Sequence, residues 1–495
     1  MIALTVAQIA EIVGGELADI SAEEAARRTV TGTVEFDSRK VGAGGLFLAL
    51  PGARSDGHDF AKGAVEAGAA AVLAARPVGV PAIVVPPTSS SVAIDAQAGV
   101  LEHDVDGSGA AVLAALAKLA AAVATELVAG GLTIVGVTGS SGKTSTKDLI
   151  AAVLRPLGEV VAPPGSFNNE LGHPWTVLRA TEDTDYLVLE MSARHPGNIA
   201  ALAAIAPPSI AVVLNVGTAH LGEFGSREVI AATKGELVEA VPSSGVAILN
   251  ADDPMVAEMA ARTAARVVRV GQSAAADVRA VDVELDVLAR PHFTLISPVG
   301  SAMVQLVVHG EHQVGNALSA AAVALECGAT PAQVATALST AGPASRHRME
   351  VHTRADGVTV VNDAYNANPD SMKAGLQALA VMARSGGRRR SWAVLGEMAE
   401  LGDESITEHD RVGRLAVRLD ISRLVVVGTG RPMNAMHHGA VMEGSWGSES
   451  TMVDDADAAL ELLRAEVQPG DVVLVKASNS AGLGALAEAL LEPTS

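Results

Sequence analysis

The chain has 495 residues, 49% of them hydrophobic and 18% charged, with 49 glycines and 22 prolines scattered without a period. At roughly 100 to 200 residues per domain this excludes a single small module, a disordered chain, a collagen and a coiled coil, and predicts two to four globular domains. The formal net charge of −21 opposes binding to nucleic acid or to a membrane surface, so any polyphosphate ligand must be met by local backbone N–H groups, a few Lys or Arg and metal ions.

The first block runs over residues 1–104. Its opening stretch carries Glu11 and no basic run, so no signal peptide is read there. Short apolar runs at 45–50, 70–74 and 82–85 suit strands of a small mixed α/β fold. The segment EFDSRKVGAGG brings Ser38 and Arg39 into a polar loop, and Arg54, Asp56 and His58 follow the next apolar run. Such loops suit a second phosphorylated ligand or an ordinary surface.

The second block, 105–342, opens on an Ala-rich helical run at 109–130. Lys118, Glu126 and the reliance on Ala rather than Leu or Ile favour a soluble helix over a membrane span, so no span is expected. Continuous apolar runs then recur at 132–137, 186–190, 210–216 and 246–250, as strands buried on both faces of a parallel sheet would. Cys327, the one cysteine, has no internal partner and ends an apolar helical stretch; a buried inert thiol and a cytoplasmic location are expected.

LTIVGVTGSSGKTSTKDLI, residues 132–150, carries the sharpest signal. A strand, a glycine turn and a helix place the backbone of Gly139, Ser140, Ser141, Gly142 and Ser145 where N–H groups can wrap a triphosphate. Lys143 can reach the outer phosphates, and Thr144 can ligate Mg²⁺. The first glycine of the usual phosphate-loop pattern is Val137 here, so the loop is the shorter Gly139-x-x-Gly142-Lys143-Thr144. Glu190 ends the second apolar run and His220 follows the third, a plausible magnesium shell beside phosphates. Lys234, in IAATKGELVEA, reads by spacing alone as a solvated helix-face residue.

The third block, 343–495, follows the break AGPASRH and repeats the alternation with apolar runs at 358–362, 392–396, 424–428 and 472–476. SRHRMEV presents Arg346 and Arg348 for phosphate or for ion pairs, and NDAYNANPDSM gathers Asn and Asp around one tyrosine. Strand ends at Glu190, Asn215, Asn362 with Asp363, Glu397 and Lys476 would face ligand, since open α/β sheets bind beyond their carboxyl edges.

Taken together, TGSSGKTS, the Glu190 strand end, TAHLGEFGS, TKGEL, GEHQVGNALSAAA, SRHRMEV, NDAYNANPDSM, LGEMAELG and LVKASNS resemble the Mur ligase family of ATP-dependent amide-forming enzymes, in family order along nearly the whole chain. The resemblance implies three domains: an N-terminal UDP-substrate domain at 1–104, a central ATP-binding domain with a mostly parallel P-loop-type sheet at 105–342, and a C-terminal Rossmann-like domain at 343–495. It implies ATP and Mg²⁺, with an acyl phosphate on the way to the amide. FDSRKVGAGGLFLALPG, FNNELGHP, DAYNANPDSM and LGEMAELG look most like the branch whose partners are UDP-MurNAc-tripeptide and D-Ala-D-Ala. Another amide ligase, such as a folylpolyglutamate synthase-like enzyme, or a non-catalytic nucleotide switch are the alternatives.

Residue by residue, the resemblance implies catalytic roles for Lys143, Glu190, His220, Lys234 and Arg348. Thr144, Glu190, His220 and a carbamylated Lys234 would hold metal. His312, Asn316, Arg348 and Asp363 would contact ATP. Ser38 and Arg39 would meet the uridine nucleotide, Asn168 and Asn169 the sugar-peptide, and Tyr365 and Asn368 the dipeptide. A monomer is expected, with domain closure about residues 341–345 expelling water from the site.

Overall fold

The computed structural model describes residues 1–52, 55–87, 101, 104–218, 221–444 and 449–492, with Leu221 described by its backbone alone. Arg54 and His220 therefore lie outside the described residues. The chain forms two compact units, one of residues 1–136, 158–192 and 199–210, the other of 137–157, 193–198 and 211–495. The division passes inside strand Thr133–Thr138.

In the first unit a five-stranded sheet runs in the order Glu16–Ala18, Ala82–Val84, Ala71–Ala74, Leu46–Leu48, Val34–Glu35. Its pairs are parallel except the first, which is antiparallel. The inner strands are buried along their whole length, as their unbroken apolar runs require. Strands Val160–Val161 and Tyr186–Glu190 of this unit pair in parallel. Helix Ser108–Ala129 is long and apolar enough to cross a membrane by length and composition. Here it buries Val112, Leu116, Leu119 and Val123 and packs on helices Val6–Val13 and Gly172–Val177.

The second unit contains two layered α/β arrangements. Val246–Asn250, Arg266–Gly271 and Val278–Leu285 pair in parallel, and the sheet then continues antiparallel through Pro291–Ser297 and Gly300–Gln305. The strands after residue 250 are not announced by continuous apolar runs; Pro291–Ser297, for one, alternates buried and half-exposed residues. Helix Gln313–Glu326 lies over these strands and against helix Lys143–Leu154. Cys327 follows it at the C-cap, half-buried rather than buried, and its surroundings raise the thiol to about 11.

The remaining strands form a six-stranded sheet in the order Glu350–Thr353, Thr359–Asn362, Val472–Lys476, Ser391–Leu395, Arg423–Val427, Ser450–Val453. All its pairs are parallel except the first. Apolar clusters fill both faces, one around Met372, Leu376, Leu395 and Leu474, the other around Trp392, Val425, Val473 and Leu486. This is the α/β class expected, with a doubly wound C-terminal sheet whose carboxyl edge carries Asp363 and Lys476.

Candidate active site

In the second unit the loop after strand Thr133–Thr138 is tied down by its neighbour. The Ser140 N–H donates to the Asn215 carbonyl at 3.1 Å, and Asn215 Oδ1 accepts from the Ser141 N–H at 2.9 Å. The Gly217 N–H donates to Ser140 Oγ at 2.9 Å. Gly142 then turns with φ +81°, and a Cβ there would also sit 2.7 Å from Asn316 Oδ1, so only glycine satisfies both constraints. Helix Lys143–Leu154 starts without a side-chain cap or an acidic residue in its first turn, which leaves the positive end of its dipole for an anion. Lys143 Nζ folds back onto the Gly139 carbonyl at 2.7 Å.

Three segments converge on this helix start. Asn316 is buried and donates through Nδ2 to Gln313 Oε1 at 2.8 Å, while its other face meets Gly142. His312, just before the same helix, is exposed. Arg348 donates to Thr144 Oγ1 at 3.3 Å and lies 4.3 Å over the Tyr365 ring. The residues on either side of it, His347 and Met349, have φ of 57° and 51°. That left-handed backbone costs on the order of 1 kcal/mol per residue. Arg346, by contrast, pairs with Glu488 at 2.6 Å.

Lys234 departs from its spacing-based reading. It sits in helix Arg227–Glu239 but is only 5% exposed, because its side of the helix faces the interior. Burial, reinforced by the Lys143 ammonium, pulls its amine well below the ordinary lysine range. Asp363 is also buried; its Oδ1 accepts the Met349 N–H at 3.1 Å and its Oδ2 accepts from Lys476 Nζ at 2.6 Å. Asn368 caps helix Pro369–Arg384, exchanging hydrogen bonds with Ser371 at 2.9 and 3.0 Å. Asp370 in the first turn of that helix accepts the Thr218 N–H at 3.1 Å.

In the first unit the structure joins residues that the sequence keeps far apart. Glu190 is buried and accepts from Asn168 Nδ2 at 2.7 Å, so a candidate metal ligand and a candidate substrate residue share one hydrogen bond. Asn169 Oδ1 accepts the Gly172 N–H at 2.9 Å. Ser38 and Arg39 begin a short 3₁₀ turn capped by Asp37, which the Arg39 hydrogen bonds hold down to about 2. Phe36, Phe167 and Trp175 form a cluster with centroids 4.7 to 6.5 Å apart, and Trp175 Nε1 donates to the Val34 carbonyl at 2.8 Å. The loops bearing Ser38 and Asn168 are thereby packed together, which no local motif announces. In a chain with 2% aromatic residues, Phe beside both motifs is the one available hint.

Comparison with known proteins matches three family models: "Mur ligase family, catalytic domain" over residues 32–124, "Mur ligase middle domain" over 137–324 and "Mur ligase, glutamate ligase domain" over 347–479. A UDP-N-acetylmuramoyl-tripeptide–D-alanyl-D-alanine ligase of Mycobacterium bovis is 73% identical, covering 99% of this chain and 98% of its own length. A crystal structure of MurF from Acinetobacter baumannii superposes with a TM-score of 0.81 at 29% identity over 99% of both chains. The MurF ligase of Thermotoga maritima in complex with ADP gives 0.74 at 28% identity, over 93% of this chain and 97% of its own.

Proposed function

The chain belongs to the Mur ligase family, and on that premise we infer that it joins D-Ala-D-Ala to the terminal carboxylate of UDP-MurNAc-tripeptide, with ATP, in peptidoglycan precursor synthesis. It is an ATP-dependent ligase forming carbon–nitrogen bonds. The observation that carries the chemistry is the gathering of the uncapped Gly142–Lys143 helix start, Arg348 and buried Lys234 in one compact unit. The choice of dipeptide rests on the whole-length similarity.

A carboxylate is a poor electrophile at neutral pH. Phosphoryl transfer from ATP converts it to an acyl phosphate; the dipeptide amine then attacks the acyl carbon, the bond to the phosphate oxygen breaks, and the amine proton passes to solvent or phosphate. Crowding two anions demands positive charge in place before reaction, which Lys143, the loop N–H groups and Arg348 supply. Asn316 and Asp363 keep the adenosine side in register, with His312 at its edge. Ser38, Arg39, Asn168 and Asn169 bind the UDP-sugar-peptide, and Tyr365 and Asn368 border the dipeptide.

Thr144 and Glu190 are hard oxygen donors of the kind Mg²⁺ selects, and His220 completes the proposed set. A buried amine with a lowered pKa, as at Lys234, is the form that adds CO₂, and carbamylation would turn it into a further oxygen donor. Bound Mg²⁺ would neutralise charge shared between phosphate and carboxylate. The second and third matched stretches leave 325–346 between them, in line with a division at about 342, whereas the first runs on to residue 124; we propose divisions at about 104 and 342, with closure hinged near 341–345. A monomer acting in the cytoplasm on soluble substrates, without nucleic acid or membrane, completes the reading.

Phosphate release by the purified chain tests it. Turnover is expected only when ATP, UDP-MurNAc-tripeptide and D-Ala-D-Ala are all present; a single amino acid replacing the dipeptide would overturn the choice of acceptor.

A further inference from the structure

We propose that Lys476 is a positioning residue that staples residues 363–366 into the shape that receives the incoming dipeptide; this rests on the ligase reading and deepens it. Lys476 ends strand Val472–Lys476 and is 1% exposed, so protein oxygens must replace its water. They are Asp363 Oδ2 at 2.6 Å, the Asn366 carbonyl at 3.0 Å and the Asp363 carbonyl at 3.4 Å. An ammonium has three N–H donors, and all three point at this one segment.

The bonds grip both ends of Asp363-Ala364-Tyr365-Asn366. Between them Tyr365 is half-buried with the Arg348 guanidinium over its ring, and Asn366 is exposed, its Oδ1 accepting the Ala367 N–H at 2.9 Å. Asp363 has a second anchor in the Met349 N–H, whereas Lys476 is what ties the Asn366 end back to the sheet edge. Removing the cation should therefore loosen the outer, acceptor-facing end more than the nucleotide-facing carboxylate. Helix Pro369–Arg384 makes room for the lysine stem at Gly375, where a Cβ would lie 3.3 Å from Lys476 Cδ and 3.3 Å from Leu474 Cδ2.

Steady-state phosphate release by the full chain, with each substrate varied in turn, decides the matter. Lys476→Met is expected to raise the KM for D-Ala-D-Ala about tenfold, the worth of one charge-assisted hydrogen bond, while the KM for ATP stays within about threefold. An unchanged dipeptide KM, or ATP and dipeptide KM values rising together, overturns the proposal. Should Lys476→Met not fold, Gly375→Ala keeps the charge but displaces the stem; it is expected to raise the dipeptide KM about threefold with the ATP KM unmoved. A dipeptide KM unmoved in that variant likewise overturns the proposal. If the unaltered chain shows no dipeptide-dependent release, the ligase reading itself falls, and the staple with it.

Discussion

Among the described residues of the second unit three lysines are buried, Lys147, Lys234 and Lys476, and the surroundings of the last two make them opposites. Lys476 ends a strand facing a carboxylate and two carbonyls, so its ammonium is solvated by protein. Lys234 lies on a helix where the charge acting on it is another ammonium, Lys143. Burial lowers the pKa of both, but only at Lys476 does a neighbouring carboxylate oppose it. The difference separates a cation kept for architecture from an amine kept for chemistry, since burying a charge without a partner is stable only if the charge is given up.

Exchanging each lysine for methionine tests this contrast most severely. Lys234→Met should reduce phosphate release about a thousandfold, because the proposed carbamate, an oxygen donor for Mg²⁺, can no longer form. Lys476→Met should lower unfolding stability by about 3 kcal/mol in urea titration, because it strands the Asp363 carboxylate in the interior. Lys234→Met should act in the other direction on stability, raising it by about 1 kcal/mol at pH 7 in bicarbonate-free buffer.

The pH dependence sharpens the comparison further. In the folded chain Lys234 loses its proton well below 10.5, whereas unfolded it holds the proton up to that value. Between those two limits the unfolded state binds more protons, so stability rises with pH. The advantage of Lys234→Met over the parent should accordingly shrink as pH climbs from 7 toward 10, measured by denaturant midpoints; a constant gap would show that Lys234 keeps its charge. The smallest effect belongs to an ordinary surface pair. Arg194 and Glu400 lie 2.8 Å apart with side chains 35% and 38% exposed, and Arg194→Ala should cost no more than about 1 kcal/mol, less in high salt.

The legible parts of the fold were those whose signal is local. The runs at 186–190, 246–250 and 472–476 coincide with strands Tyr186–Glu190, Val246–Asn250 and Val472–Lys476, since double-sided burial in a parallel sheet demands unbroken apolar sequence. The strands Val278–Leu285 and Pro291–Ser297, paired antiparallel, are not legible because one-sided burial leaves mixed sequence. At the site, Gly142, Lys143 and Thr144 were readable from spacing, and Asn215 and Lys476 stood out as strand ends. Lys234 was misplaced on a solvated face, because helical spacing tells which residues share a side and not which side is covered.

What the sequence determined alone is the set of chemical groups and their order: a glycine turn before Lys143, carboxylates and amides at strand ends, and a chain too acidic to attract polyanions except at such points. Only the tertiary structure decided which groups meet. Arg348 reaches Thr144 across 204 residues, Lys476 grips Asp363 across 113, and Asn168 finds Glu190 through a loop that three aromatic rings hold in place. Hydrogen bonds and ion pairs act over a few ångströms, and proximity between distant segments is set by how sheets stack and helices cover them, a property of the packed chain and of no single stretch within it.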